Sequence, residues 1–333
     1  MPGFSVIIPV YNRPQEVDDL LRSLLAQSCR DFEVIIVEDG STVTCREQVD
    51  SAVKAGLDVR YFHKSNEGRS IARNYGLERA HGDYFVFFDS DCVIPPEYFA
   101  TLCAELEREP VDCFGGPDAA APDFTDLQKA ISFSMTALLT TGGIRGGKVQ
   151  MEKFVPRSFN MGYSRRVYEA VGGFREMFSE DIDMSTRVRQ AGFSIRLIRP
   201  AFVYHKRRTS LAKFARQTHV FGMSRITLHL LYPGSLKLVH ALPAVFTAGS
   251  VLLIILALAW RWWAILPLAL YAVLLWLNAL WDTRSLKISL MAVVTSFVQL
   301  WSYGAGFIRA WWWKIVLGHG RDINEEIEMR RGK

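Results

Sequence analysis

The chain carries only five cysteines in 333 residues, an odd number with no Cys-x-x-Cys pair (Cys29, Cys45, Cys92, Cys103, Cys113). That argues against a disulfide framework and fits a reducing compartment. Nor is a secretory leader expected. Met1-Pro-Gly-Phe4 leads straight into a strand-like run, with no basic segment and no small-residue cleavage site. The part of the chain that carries polar chemistry is therefore expected in the cytosol. Internal repeats and low-complexity tracts are absent. So are both glycine signatures of nucleotide binding. A dinucleotide fold calls for G-x-G-x-x-G after its first strand, but here that turn reads Pro9-Val-Tyr-Asn-Arg-Pro14, and the Walker pattern does not occur.

Long apolar runs are missing up to about Arg225, where apolar stretches broken by charge read as a soluble α/β protein. Beyond His240 the character changes. Leu242 to Trp260, Trp262 to Trp281 and Ile288 to Ile308 are apolar or nearly so. About 20 such residues span the ~30 Å of a bilayer's hydrocarbon. The nine tryptophans (260, 262, 263, 276, 281, 301, 311, 312, 313) fall at or near the ends of these runs, as in an interfacial aromatic belt. Buried helices of a large soluble core are the alternative; a membrane anchor fits better.

Ser5 to Asn12 reads as a strand stopped by the turn signal Asn12-Arg-Pro14, and leucines at 20, 21, 24 and 25 give the next segment helical spacing. Phe32 to Val37 is a second strand, Val59 to Phe62 a third, Gly68 to Arg79 a helix and Tyr84 to Phe88 a fourth strand. Alternation at this spacing predicts a parallel sheet with crossover helices. The polar clusters that end strands one, two and four should then converge on one edge, where open α/β sheets bind ligands. Phe114 to Gly147 is glycine-rich and expected to be irregular. Helices are predicted before Gly172-Gly173 and from Glu180, whose acids Glu180, Asp181 and Asp183 suit a first helical turn. His205 to Arg225, with Lys206, Arg207, Arg208, Lys213, Arg216 and Arg225 among apolar residues, is expected to be an amphipathic helix resting on anionic headgroups. A solvated helix face is the alternative.

The most telling stretch is Tyr84-Phe-Val-Phe-Phe-Asp89-Ser-Asp91, an apolar strand that stops at two carboxylates one residue apart. On its own, Asp-Ser-Asp also fits an ordinary strand-end turn. Beside the other strand ends it suggests more. Tyr11 and Asn12 can line a pocket for a flat base, Asp39 can accept hydrogen bonds from a base or ribose, and Asp89 and Asp91 can share a divalent cation with a diphosphate. A nucleotide diphosphate bound without either glycine motif points to a nucleotide sugar.

Ser5-Val-Ile-Ile-Pro-Val-Tyr-Asn12, Val37-Glu-Asp-Gly-Ser41, Asn66-Glu-Gly-Arg-Ser-Ile-Ala-Arg-Asn74, Asp89-Ser-Asp91 and Ser179-Glu-Asp-Ile-Asp183 occur in one order and at one spacing. From roughly Phe4 to Arg225 the chain closely resembles the family 2 glycosyltransferases, inverting enzymes with the GT-A fold, an α/β Rossmann-like nucleotide-sugar-binding sheet. The resemblance implies a role for each matching position. Asp39, with Pro9, Tyr11 and Asn12 beside it, would recognise the nucleotide base. Asn66, Arg69 and Arg73 would lie by the diphosphate. Asp91 would bind Mg²⁺ or Mn²⁺, with Asp89 and Ser90 facing the ribose or the metal. Asp181 would be the general base and Glu180 would position the acceptor. His205 stands where related enzymes often place a metal ligand or diphosphate contact, a structural histidine being the alternative. Where the family usually has Asp-Asp, this chain has Glu38-Asp39.

Processive relatives carry Gln-x-x-Arg-Trp after the base. Here Gln217-Thr-His-Val-Phe221 lacks the Arg and the Trp, which implies a single addition. The implied donor is a nucleotide sugar, with UDP as the default, and the implied acceptor a polyprenyl-diphosphate-linked glycan of a cell-surface polysaccharide. A polyprenyl-phosphate monosaccharide synthase is the alternative, and an inactive membrane scaffold a third. No nucleic-acid partner is expected. The expected organisation is a catalytic domain at 1–205, a basic interfacial region at 206–237, two to three membrane helices at 238–317 and a charged tail at 318–333, in the cytoplasmic membrane. Arg284 and Lys287 satisfy the positive-inside rule, but three crossings would export a basic tail. The third segment, with Gln299 and Gly304-Ala-Gly306, is therefore expected to be interfacial or re-entrant.

Overall fold

The computed structural model describes residues 3–119, 124–141, 154–205 and 210–319. Lys206, Arg207 and Arg208, the glycines between 142 and 147, and the tail from 320 on lie outside the described residues. The chain divides into two units, 1–121 with 153–206 and 122–152 with 207–333.

The first unit alternates strand and helix through β1 (Phe4–Val10), α1 (Pro14–Leu25), β2 (Phe32–Asp39), α2 (Arg46–Lys54), β3 (Val59–Lys64), α3 (Arg69–Leu77) and β4 (Tyr84–Phe87). It continues with β5 (Cys92–Val93), α4 (Tyr98–Arg108), β6 (Cys113–Gly115) and β7 (Asp118–Ala119). Helices α5 (Asp126–Thr136) and α6 (Leu138–Thr141) follow in sequence but belong to the second unit. Then come β8 (Met161–Ser164), α7 (Arg165–Val171), α8 (Glu180–Gln190), β9 (Ile195–Leu197) and β10 (Val203–His205).

The main sheet runs β3-β2-β1-β4-β8-β6-β9. β3, β2, β1 and β4 are parallel, as the alternation predicts. The parallel pattern stops at β8, which is antiparallel to both β4 and β6. Helical crossovers impose parallel pairing only up to β4, and β8 arrives after the long excursion through 124–153. Side chains alternate between two cores. Val6, Ile8, Val34, Ile36 and Phe88 pack with α1, α2 and α4 on one face, while Ile7, Ile35, Val37, Phe85 and Phe87 pack with α3, α7 and α8 on the other. This period-two alternation, with both faces apolar, is what a doubly covered strand requires. Strand order reverses at β1, flanked by β2 and β4, so the carboxyl ends of β1 and β4 bound the crevice where such sheets bind ligands. The β1–β4 ladder ends at Ile7↔Phe87, so Pro9, with no N–H to donate, stands where that ladder has already stopped. A second sheet, β5-β10-β7, pairs His205 with Cys92.

The second unit holds α5 and α6 with α9 (Leu211–Leu231), α10 (Leu238–Ala259), a 3₁₀ turn Trp262–Ile265, α11 (Leu266–Thr283), α12 (Leu286–Trp311) and a π-helical turn Trp312–Val316. Part of the stretch expected to be irregular is therefore helical. Thr125 and Gln128 cap α5 reciprocally, a capping box legible as Thr-x-x-Gln. The third apolar segment forms a single unbroken helix, α12. Its glycines serve close packing. A Cβ on Gly306 would lie 2.0 Å from His219 O, one on Gly222 2.0 Å from Tyr303 O, and one on Gly304 2.3 Å from Pro243 O. Backbones of α9 and α10 thus rest directly on α12, as small residues allow between membrane helices. α9 lies six residues further along the chain than the expected His205–Arg225 and buries Phe214, Thr218, Gly222, Met223 and Ile226, so it is a packed helix with one basic side.

Gly306→Val should force α9 and α12 apart at about 1–3 kcal/mol, the usual cost of overpacking. A lowered thermal midpoint in detergent is expected; an unchanged one would contradict the backbone contact.

Candidate active site

Arg73 lies on α3 and is fully buried. Its Nη2 donates to Asp89 Oδ1 at 2.6 Å and its Nη1 to Glu180 Oε1 at 3.0 Å. Arg69, one turn earlier, donates from Nη2 to Glu180 Oε2 at 2.8 Å. A buried guanidinium is tolerable only with its charge matched, and these two carboxylates match it. The network joins the end of β4, the start of α3 and the first turn of α8. It also revises two expectations. Arg73 has no surface to offer a diphosphate, and Glu180, 1% exposed, lies beneath the site instead of facing an acceptor.

Asp181 is the next residue on α8, entered through Ser179 in the left-handed region (φ 60°, ψ 40°). Its side chain keeps 14% exposure, with Arg157 Nη1 at 3.4 Å from Oδ2 and the Ile182 N–H donating to Oδ1 at 2.8 Å.

At the end of β4, Ser90 is buried between two acids that remain partly open. Asp91 Oδ2 accepts from Arg13 Nη1 at 2.9 Å, and Asp91 Oδ1 lies 3.2 Å from His205 Nε2. Asp89 Oδ2 is 4.0 Å from the same nitrogen. The β10–β5 pairing delivers the imidazole here, and Phe159 stacks on it at 4.5 Å. Burial pulls the His205 pKa down, but the Asp91 hydrogen bond and the charges of Asp91, Asp89 and Asp118 outweigh it and hold the pKa above the ordinary value. Donor atoms of Asp91, Cys92 and His205 lie within 4.8 Å of one another. The Cys92 thiol is pushed well up by burial and by the charges of Asp91 and Asp89. Asp91 and His205, with Asp89 Oδ2 at 4.0 Å from the imidazole, form a donor set suited to Mn²⁺ or Mg²⁺.

The ends of β1 and β2 are built differently from the expectation. Asp39 is buried and already occupied. Its Oδ1 accepts from Lys64 Nζ at 3.0 Å and from Glu67 N at 3.0 Å, and its Oδ2 from Gly68 N at 2.8 Å. Asn66 Nδ2 donates to its carbonyl at 2.8 Å. Asp39 thus pins the loop that opens α3, and Asn66 is part of that pin. Asn12, at φ 52°, accepts from Thr42 N at 2.8 Å and Val43 N at 2.9 Å through Oδ1, so its amide braces the β2 turn. Glu38 is buried and accepts from Ser41 Oγ, Cys45 N at 2.9 Å and Tyr61 OH at 3.2 Å. Of the expected base-pocket residues, Tyr11 (51% exposed) and half-buried Pro9 remain accessible.

Asp89, Asp91, His205, Arg69 and Glu180 therefore belong to one connected constellation, with Asp181 following Glu180. Two further members are Arg13, on Asp91, and Arg157, on Asp181. Arg13 carries a legible signal, a cation directly after the first strand's end. Arg157 carries none, because its meeting with Asp181 depends on how the segment before β8 returns.

The family model described as Glycosyl transferase family 2 matches residues 5–172. Among curated proteins, the chain is 47% identical over 87 residues to an uncharacterized glycosyltransferase of Rickettsia felis, covering 26% of this chain and 14% of that protein. It is 34% identical over 115 residues to the uncharacterized glycosyltransferase EpsJ of Bacillus subtilis, covering 34% of this chain and 33% of that protein. To the uncharacterized glycosyltransferase YibD of Escherichia coli it is 36% identical over 108 residues, covering 32% and 31%. The matches thus span about a third or less of these relatives. Among solved structures, the mannosyltransferase PcManGT of Pyrobaculum calidifontis, in complex with GDP-Man and Mn²⁺, aligns with a TM-score of 0.64 at 19% identity over 89% of this chain and 87% of that one. That likeness establishes the GT-A fold.

Arg73→Met should leave Glu180 and Asp89 short of their cation and destabilise the first unit by about 3–5 kcal/mol. Glu180→Gln, which keeps acceptor geometry on one side, should cost less. Thermal midpoints of the two variants in the order Arg73→Met above Glu180→Gln would contradict the network.

Proposed function

The chain belongs to glycosyl transferase family 2, and from that membership we propose that it moves one sugar from a nucleotide-diphosphate sugar to a polyprenyl-diphosphate-linked glycan at the cytosolic membrane face, with inversion. The observation that carries this is the Arg73 bridge, which holds the acids of β4 and the first turn of α8 in one site. Asp181 takes the proton from the attacking acceptor hydroxyl. A carboxylate in that role contributes about 10²–10⁴-fold. One displacement served by one base inverts the anomeric carbon, without the covalent intermediate of a two-carboxylate retaining scheme. Arg69 and Arg13 supply positive charge where the diphosphate departs, and Tyr11 and Pro9 offer the base an accessible surface. Asp91, His205 and Asp89 would hold Mg²⁺ or Mn²⁺, which when bound neutralises charge on the leaving diphosphate.

The helices α10 and α11 anchor the enzyme in the cytoplasmic membrane, and confinement with a lipid acceptor raises its effective concentration. Arg157 beside Asp181 gives the second reading its footing. A guanidinium at the base suits an acceptor that is itself an anion, so polyprenyl phosphate is the alternative acceptor. An inactive scaffold would be expected to lack Asp91 or Asp181, and the chain has both.

Three measurements follow. Nucleoside diphosphate release should be followed across a panel of nucleotide sugars, UDP-sugars first, with Mg²⁺ or Mn²⁺; stimulation by polyprenyl phosphate alone would replace the glycan acceptor. Asp181→Asn should reduce transfer by about 10²–10⁴-fold while calorimetry shows donor binding nearly intact, and wild-type turnover would remove Asp181 as the base. Asp91→Ala should abolish Mn²⁺-linked donor binding, with chelation having the same effect on the parent enzyme; an unaltered metal response would move the metal elsewhere.

A further inference from the structure

Three helical segments of the second unit are long and apolar enough to cross a bilayer, but they are not equally covered. Within the apolar windows of α10 and α11 only 11% of residues are buried, against 44% for α12 with its π turn. α10 and α11 each pack on part of α12, and the rest of its cover comes from two further helices laid end to end along it. Lys287 Nζ pairs with Asp126 Oδ2 at 2.7 Å, and Thr295 Oγ1 donates to Ala130 O at 3.1 Å. Ile131, Met135 and Phe214 cluster with Val298. Gly306 then abuts His219 O, and Lys314 Nζ donates to Thr227 Oγ1 at 2.7 Å. Residue numbers rise together on both sides, so α5 and then α9 run alongside α12 from Lys287 to Lys314.

A helix takes its flanking helices to whatever depth it occupies. Phe214 meets Val298 and His219 meets Gly306, which sets Lys213 and Arg216 level with the middle of α12. Both are exposed. Were α12 to cross, these cations would stand near the bilayer centre, where Lys and Arg are strongly disfavoured. The uncovered side of α12 carries an apolar stripe, Leu286 (60% exposed), Leu290 (54%), Val294 (52%), Trp301 (39%) and Ile308 (39%), bordered near its two ends by exposed Lys287 and Arg309. One apolar stripe opposite a covered face that brings basic side chains is the pattern of a helix lying in the interface.

We propose that α12 lies in the plane of the bilayer surface, its stripe from Leu286 to Ile308 sunk among lipid acyl chains, and that only α10 and α11 cross, as a hairpin turning at Trp262–Ile265. The proposal rests on the reading of α10 and α11 as the membrane anchor. It places Arg284, Lys287, Lys314 and the cations of α9 on one side, as anionic cytosolic headgroups favour.

The test is labelling of the full-length protein in sealed, oriented membrane vesicles with an impermeant maleimide, against the background of the parent chain. Arg284→Cys and His319→Cys should label from one and the same face, and Trp262→Cys only from the other. Labelling of Arg284→Cys and His319→Cys from opposite faces would overturn the proposal and leave the anchor standing. Labelling of all three from one face would overturn the anchor and the proposal together. Nitroxides at Leu290, Val294, Trp301 and Ile308 give a second reading. Oxygen-versus-nickel-chelate accessibility should be level along the stripe, and a maximum at Val294 and Trp301 falling toward both ends would overturn it.

Discussion

One buried guanidinium sets the dimensions of this site. Arg73 must meet two carboxylates to be tolerated where no water reaches it, and it finds them on elements far apart in sequence, Asp89 after β4 and Glu180 at the start of α8. Satisfying it fixes the spacing of α3, β4 and α8 at once. Asp91 stands two residues beyond one anchor and Asp181 one residue beyond the other. The two acids assigned to chemistry are thus positioned by a contact that neither makes. Replacing such a network by apolar packing can leave stability unchanged, so its value here lies in geometry.

The same division of labour recurs along the sheet edge. Glu38 is consumed by Ser41, Cys45 and Tyr61, Asp39 by Lys64 and the two N–H groups that open α3, and Glu180 by Arg69 and Arg73. In the Glu180-Asp181 doublet, one acid acts as a beam and the other is left facing outward. This also gives a physical reason for a glutamate at position 38. From the buried end of β2, the longer side chain reaches the N–H of Cys45, which begins α2, and the Tyr61 hydroxyl on β3.

Sequence patterns disclose elements more readily than they disclose what a polar side chain is for. The order of strands and helices up to β4 was legible because period-two and helical spacing are local. So was the convergence of the strand ends, which follows from right-handed crossovers. The antiparallel β8 was not, since no local pattern records the direction of a strand that returns after a long excursion. Tyr11 stays exposed after β1, and Asp91 meets His205 at the end of β4. Asn12, Asp39, Asn66, Arg73 and Glu180 have side chains turned to neighbouring backbone or to each other. A motif records that a residue type is needed at a position; whether it holds the loop or the ligand depends on partners that may come from anywhere in the fold, as Arg157 does for Asp181.

Hydropathy fails at α12 for a related reason. A window average treats a helix as an isolated rod, and by that measure α12 resembles α10 and α11. The depth of a helix is set by everything fastened to it. Gly222 and Gly306 fasten α9 to α12 with no room for a side chain, still less a lipid, between the backbones. Lys213 and Arg216 then become part of the account for α12 although they lie more than seventy residues earlier in the chain. Gly306, which suggests a broken membrane segment when read alone, is the residue that gives α12 its polar companion, and through it a place at the membrane surface.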